Sequence, residues 1–368
     1  MLQSPIAATD PRGELIRSAS IVIWDEAPMA NRAVLGCVEE VCRIVMGNNK
    51  PFGGKVIILL GDFRQTCPVI RGGTRAQVVD ASIKSSPLWP LFTILRLTIP
   101  IRNAEDPDFS AFVDSIGEGS HSEISTEMCE TTSNANDIIN FVYPQNTLTD
   151  PASCLRRAIL CPTNAQVDLY NDIITSRVDG VQRTYLAADT LQEADETGLT
   201  PPDGILDYFS IHTPPGFPHH SLKIKVNAVY RLIRNFSIDL TLVKNCRVII
   251  VDIGMRLVTI RIIRDLGDFA FVDSDDILIP RISFTHDLHS GHTLLRRQFP
   301  LAPAYATTFN SCQGLTLDRI GLDLTIPVFS HGQLYTAMSR IRHRTHVLIR
   351  LPPEQTSTTN VTYHELLV

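Results

Sequence analysis

Four short stretches of this chain bring together residue types suited to phosphate chemistry. In Ile21-Val22-Ile23-Trp24-Asp25-Glu26 an apolar run ends in two adjacent carboxylates. A strand that delivers such a pair to a sheet edge has the Walker-B layout: the first acid holds Mg²⁺, usually through water, and the second polarises an attacking water. An ordinary strand end looks the same. A second apolar run, Val56 to Leu60, leads into Gly61-Asp62-Phe63-Arg64-Gln65-Thr66-Cys67-Pro68. A glutamine at a strand edge donates to a terminal phosphate and accepts from a water, so it reads the state of a nucleotide. Alternatively, Asp62 and Gln65 only cap a polar turn. The other two stretches are Thr308-Phe309-Asn310-Ser311-Cys312-Gln313-Gly314-Leu315-Thr316 and Gly332-Gln333-Leu334-Tyr335-Thr336-Ala337-Met338-Ser339-Arg340. Arg340, and Arg102 after Leu97-Thr98-Ile99-Pro100-Ile101, each admit two roles. One is a surface ion pair; the other is an arginine finger that stabilises charge on a transferred phosphoryl group.

Alternating strands and helices must position these side chains. Leu35, Val38, Val41, Cys42 and Val45 recur at helical spacing, and Gly47 is placed to end that helix. Continuous apolar runs separated by helices predict a parallel sheet covered on both faces, with the polar residues at its carboxyl edge. Residues 118–136 read as a polar surface loop, and a new α/β pattern opens at Ala158-Ile159-Leu160-Cys161, with a helix from about Asn164 to Arg177 after it. Residues 187–220 read as Pro-, Gly- and Asp-rich connections, and strand-like runs extend from Lys223 to Val272. The α/β pattern resumes near Tyr305. The expected division is therefore a partial first domain over 1–117, an acidic linker over 118–150, and a second domain over 151–352. That second domain carries a β-rich insert at about 223–280, and 353–368 form a tail.

The 368 residues are 44% hydrophobic and 20% charged, which excludes a wholly disordered or collagen-like chain and suits two or three domains. No apolar run approaches the roughly 20 residues of a membrane span. Met1 to Thr9 carries no positive charge ahead of an apolar core, so no signal peptide is expected. The eight cysteines form no Cys-x-x-Cys pair and read as reduced thiols, without a zinc site. Net charge is −6, but it is unevenly spread. Glu105 to Asp150 holds ten acids and no Lys or Arg, whereas Lys223 to Arg264 holds nine Lys or Arg against Asp239 and Asp252, or +7. Local field decides where a polyanion docks, so the basic stretch is a candidate nucleic-acid face and the acidic one is expected to point away. The plainer reading of either is a solvated surface.

In this order, the stretches resemble the Pif-type ATP-dependent DNA helicases of superfamily one, relatives of the RecD type. More narrowly, they resemble the helicase portion of eukaryotic Helitron transposons and their fungal descendants. The resemblance runs through "IVIWDEAPM", "GGKVIILLGDFRQTCPVI", "LRLTIPIRN", "ILCPTNAQVDLYN", "RLIRNFSIDLTLVKNCRVIIV", "RRQFPLAPAYATTFNSCQGLT" and "PVFSHGQLYTAMSRI", nearly the whole chain. It implies an α/β fold of two RecA-like parallel-sheet motor domains, the first incomplete, with a small β-rich insert in the second. It implies a hydrolase that takes ATP with Mg²⁺, binds single-stranded and duplex DNA, and unwinds duplex 5′ to 3′. DNA recombination, DNA repair and telomere maintenance are the implied settings, with the nucleus, or else the mitochondrion, as compartment. On the family's pattern Asp25 holds Mg²⁺ through water and Glu26 is the catalytic base. Gln65 contacts the γ-phosphate, and Arg102 and Arg340 approach it from opposite domains. Thr308, Asn310, Ser311 and Gln313 meet the DNA backbone, and Gly314 lies where that motif reaches the nucleotide.

The chain departs from the family's pattern at three places. No G-x-x-x-x-G-K-[ST] phosphate loop occurs, and Gly53-Gly54-Lys55 is no substitute because Val56 comes next and a strand begins there. The family places that loop upstream of the Asp-Glu strand, so the chain is expected to start partway through its first motor domain. Ser311 stands where relatives carry lysine and Leu315 replaces a glutamine. Thr66-Cys67-Pro68 replaces Leu-Pro-Pro. These departures admit two further readings: a catalytically dead transposon-derived remnant that keeps a DNA-binding surface, and a nucleotide-binding switch independent of DNA.

Overall fold

The computed structural model describes residues 2–70, 72–193, 204–267, 269–288 and 292–367. The chain is α/β and groups into two compact units. One comprises Met1–Ser133, Thr308–Leu317 and Leu322–Val368; the other comprises Asn134–Thr307 and Asp318–Gly321.

In the first unit the Ile21–Trp24 strand pairs in parallel with Val56–Leu59, Ile21 opposite Val56 and Trp24 opposite Leu59. Beyond the pairing, the Leu60 N–H donates to the Trp24 carbonyl and the Ala27 N–H to the Leu60 carbonyl. These bonds make Asp25-Glu26 and Gly61-Asp62 leave the sheet side by side. Helix Arg32–Met46 is capped by the Asn31 side chain and ends at Gly47, whose φ of 64° is one glycine adopts without strain. Its apolar face, with Leu35 and Cys42, joins Ala27, Phe52 and Ile83 beneath Trp24, Ile57 and Leu59. Leu35 is wholly buried, a burial that contributes about 2 kcal/mol.

Only that face of the pair is covered. Ile21, Ile23, Val56 and Ile58 are exposed on the other, Ile23 at 64%. The sheet covered on both faces expected from the continuous apolar runs is thus half-covered: the core packs on the face of Trp24, Ile57 and Leu59, and the face of Ile21, Ile23, Val56 and Ile58 is left exposed among the described residues. Leu95, Leu97, Ile99 and Ile101, in a stretch with no regular structure, are exposed as well.

The contact grouping departs from the division expected in chain order. Residues 118–136 are not a plain loop. Glu123–Ser125 pairs with Ser357–Thr359, and Glu130–Thr132 runs parallel to Val347–Arg350. Helix Ala135–Val142, placed in the linker by sequence, buries Ile138, Ile139 and Val142. The segment after residue 352 is no free tail either, since Thr358, Asn360 and Leu366 are buried. Three-residue strands are too short to show periodicity, and their partners lie more than 200 residues away.

In the second unit the Arg157–Cys161 strand is buried and leads into helix Asn164–Arg177, N-capped by Thr163. Val229–Leu232, Arg247–Ile253, Leu257–Asp265, Ala270–Val272 and Ile277–Pro280 make an antiparallel sheet, which Leu301–Pro303 extends beyond the expected insert. A second antiparallel sheet joins Ala188–Glu193, His292–Gln298 and Ile282–Asp287. The 187–220 region, expected as connections, therefore supplies a strand and the Ile205–Ile211 helix; its residues 194–203 lie outside the described residues.

Both charge runs are partly spent inside their own units. In the basic run Lys223 pairs with Asp172, Arg261 with Asp276 and Arg264 with Asp273. In the acidic run Asp106 receives Arg344 and Asp114 receives Arg64. The Arg344 guanidinium holds the Asp106 carboxyl well below the usual carboxylate range, and Asp106 also caps helix Pro107–Glu118.

Candidate functional site

The candidate residues all fall in the first unit. Asp25 is exposed at the strand end, with one carboxylate oxygen accepting from the Glu26 N–H at 2.9 Å. Glu26 sits in the left-handed region (φ 51°) and opens the Ala27–Met29 turn. Holding a non-glycine residue there costs about 1 kcal/mol. Gly61 is required beside it: a Cβ at that position would lie 2.2 Å from the Pro28 Cδ.

The loop after the second strand is fastened to the segment around helix Gln333–Met338. Arg64 donates to Asp62 and to Asp114, and lies 4.7 Å over the Tyr335 ring, whose hydroxyl donates to Asp62 at 2.6 Å. A side chain at Gly332 would strike the carbonyls of Arg64 and Gln65. Gln65 meets Gln313, whose Nε2 donates to Gln65 Oε1 at 3.4 Å. Thr66, nearly fully buried, donates its hydroxyl to Gln313 Oε1 at 2.7 Å and its N–H to the Thr336 hydroxyl at 3.1 Å. Gln313, expected to face DNA, therefore has its amide committed to the Gln65 loop.

His331 anchors the same loop from beneath. Its Nδ1 accepts from the Tyr363 N–H and its Nε2 donates to the Phe63 carbonyl, both at 2.8 Å. That pattern needs the neutral ring. Burial of the ring lowers its pKa below the ordinary 6.5. The unfolded chain then binds the proton first, so the stabilisation is complete above pH 6.5 and is lost as pH falls below it. The gap in melting temperature between wild type and His331→Asn is expected to narrow below that pH. A constant gap from about pH 8 to pH 5 contradicts a neutral buried His331.

Arg102 and Arg340 form the second cluster. Arg102 donates to the Ser339 carbonyl at 2.6 Å and to the Thr316 hydroxyl at 3.3 Å. Arg340, 3% exposed, donates to the carbonyls of Thr336 and Leu315 and to the Ser339 hydroxyl. Burial, and then the neighbouring positive charge of Arg340, lower the Arg102 pKa, while Glu26 opposes the shift. Among the described residues neither guanidinium has a carboxylate within ion-pair distance. The carbonyls ending the Gln333–Met338 helix offset part of this charge. Arg340 is buried and Arg102 exposed beside it; two neighbouring like charges without a counter-ion still raise the energy of the empty site, and an anion placed against them lowers it.

The third cluster is the turn Phe309–Cys312. The Thr308 hydroxyl donates to Ser311 Oγ at 3.0 Å, and Ser311 remains exposed. Asn310 faces the Gln333 amide at 3.5 Å, and Gly314 has a φ of 75°. A divalent ion suits the first group. Asp25 is exposed and acceptor-only, and Mg²⁺ commonly takes one or two carboxylates, water and substrate phosphates instead of a full protein cage. Sequence reasoning missed Thr66, Tyr335, Thr336 and His331. Tyr335 and Thr336 sit inside a motif already singled out, whereas a lone histidine carries no signal.

Residues 3–127 match the family model described as PIF1-like helicase. Human ATP-dependent DNA helicase PIF1 is 26% identical over 324 residues, 87% of this chain and 44% of the relative. The chain thus spans about half the length of that relative. Crystal structures of Pif1 helicase from Candida albicans and from Bacteroides, the latter in complex with ADP-AlF3 and ssDNA, superpose with TM-scores of 0.64 and 0.67. The first is 20% identical and covers 96% of this chain and 77% of its own; the second is 19% identical and covers 100% and 78%. These likenesses establish the RecA-like helicase fold.

Proposed function

We propose that this chain, a member of the Pif1-type helicases of superfamily one, carries the hydrolysis and DNA-tracking residues of an ATP-dependent DNA helicase. The observation that carries the reading is the pair Arg102 and Arg340. They are held together without a carboxylate partner among the described residues, in one unit with the Gln65 loop and with the Glu26 carboxylate that Arg102 feels.

The proposed chemistry is in-line attack of water on the terminal phosphate of ATP. Asp25 would hold Mg²⁺, which when bound neutralises phosphate charge. Glu26, next to Asp25 at the strand end and held in the left-handed region, accepts the water's proton. Gln65 orients that water and contacts the γ-phosphate. Arg102 and Arg340 stabilise the charge that builds on the phosphoryl oxygens. Gly314 lets backbone approach the nucleotide. Gln313 and Thr66 connect the Gln65 loop to the turn of Thr308, Asn310 and Ser311, which meets the DNA backbone. Tracking along single-stranded DNA 5′ to 3′ and unwinding of duplex accord with the family's pattern. Roles in recombination, repair and telomere maintenance, and a nuclear or mitochondrial setting, accord with it too. The division into two motor domains, 1–117 and 151–352, stands as part of the same proposal, as does an origin among Helitron-type helicases.

DNA binding has its own test at Ser311. This neutral hydroxyl is exposed, and the family resemblance implies a lysine at its position. Wild type is expected to bind a fluorescent single-stranded oligonucleotide weakly and in a salt-sensitive way. Ser311→Lys should bind more tightly, with a salt slope steeper by about 0.7. Equal slopes would show that position 311 does not face phosphate.

A further inference from the structure

Two apolar surfaces of the first unit are left bare. One is the sheet face of Ile21, Ile23, Val56 and Ile58. The other is the stretch 93–101, in which Leu95, Leu97, Ile99 and Ile101 are between 83% and 99% exposed. Apolar residues at every second position, with Thr93, Thr98 and three isoleucines in the stretch, make the pattern of a half-buried strand. Yet among the described residues no main-chain group of 93–101 is hydrogen-bonded, and none of these residues takes positive φ. The stretch is a strand in composition that lacks a partner in the fold. An unpaired apolar edge of this kind is a template for another chain.

Both ends of the stretch are fixed. Before it, the Phe92 N–H donates to the Trp89 carbonyl, and the Phe92 ring meets Phe52 at 5.9 Å, just ahead of strand Val56–Leu59. After it, Arg102 donates to the Ser339 carbonyl and feels the Glu26 charge, just past strand Ile21–Trp24. The stretch therefore runs the length of the two-stranded sheet, from its amino to its carboxyl end. With the bare sheet face it offers on the order of 800 Å² of apolar surface, about what each partner of a stable pair buries. Charge and register fit a second copy of this chain. Arg96 is the one charged residue from Thr93 to Ile101. In an antiparallel pair centred on Leu97, the midpoint of 93–101, Leu97 faces its own copy and Leu95 faces Ile99. Arg96 then faces Thr98, so no like charges meet. With Leu97 in a hydrogen-bonded pair, Pro100 falls opposite Ile94 in a non-hydrogen-bonded one, where its missing N–H is not needed. A two-fold axis closes the assembly at two chains.

We propose that the chain pairs with a second copy of itself through residues 94–100, antiparallel and centred on Leu97, with the bare sheet faces buried alongside. The pairing needs neither DNA nor nucleotide, so it stands or falls apart from the helicase reading.

The test is sedimentation velocity of the full chain without DNA or nucleotide, across concentrations up to about 50 µM. Wild type is expected to reach twice the 40.9 kDa of one chain and to stop there. Leu97→Lys should weaken self-association about tenfold or more, because two cations then meet on the axis. Leu97 is 99% exposed, so the melting temperature should not change. Mixing Leu97→Lys with Leu97→Glu should restore the pair, which a mere loss of apolar surface would not do. Under oxidised glutathione, Leu97→Cys should be joined to its own copy by a disulfide well beyond the level of wild type, since Cα atoms about 5.5 Å apart in a hydrogen-bonded pair suit that bond. A monomer at every concentration overturns the proposal, and so does a Leu97→Lys variant as dimeric as wild type. Masses that climb past two chains overturn the closed pair, and a dimer that forms only with an oligonucleotide overturns its independence from DNA. Crosslinking through Thr98→Cys in place of Leu97→Cys overturns the register.

Discussion

Arg340→Ala is expected to lower ATP turnover by about 10³-fold or more when this chain is joined behind the phosphate-loop strand and helix of human PIF1. The added strand and helix have somewhere to pack, because Ile21, Ile23, Val56 and Ile58 leave one face of the two-stranded sheet bare. The size of the effect comes from position. Arg340 is buried, is held by three acceptors and lacks a carboxylate partner among the described residues, so its charge is preorganised for a developing anion. Glu26→Gln in the same fusion should keep nucleotide affinity and lose about 10²–10⁴-fold in turnover, since an amide of the same shape takes no proton. Steady-state hydrolysis and fluorescent-nucleotide binding separate the two effects. Near-normal turnover in either variant removes that residue from the chemistry.

The 368-residue chain by itself is expected to hydrolyse ATP far more slowly than human PIF1 assayed beside it. Asp25 and Glu26 are both anionic and supply no attraction for the β and γ phosphates. Arg102 and Arg340 offer two cations, but not the cradle of backbone N–H groups and the lysine that a phosphate loop provides. DNA-stimulated turnover by this chain at the rate of the human enzyme would show that other residues do that work.

How much of this was legible in the sequence depended on the range of the interaction. Asp25, Glu26 and Gln65 could be placed because apolar runs of four or five residues announce strands, and the residues just past a strand lie at its carboxyl edge. Helix Arg32–Met46 was legible through its spacing and Gly47. Burial on both faces was not, since an apolar run looks the same whether one side or both is covered. The charge windows misled for a related reason. Asp172, Asp273 and Asp276, which neutralise part of the basic run, lie outside it, and so do Arg64 and Arg344, which neutralise part of the acidic one. Gln313 was grouped with the DNA contacts by motif, yet Thr66, 247 positions away, holds its amide at the Gln65 loop. His331 gave no sign at all, because its role is set by two backbone groups brought to it by the fold.

The most direct measurement is ATP hydrolysis by the fusion carrying the human phosphate-loop segment, with and without a single-stranded oligonucleotide, after melting confirms that it folds. DNA should raise turnover severalfold or more, Glu26→Gln should remove it, and the active fusion should open a fork with a 5′ tail. Hydrolysis indifferent to both DNA and Glu26 would contradict the proposal that these residues form a DNA-coupled ATP motor.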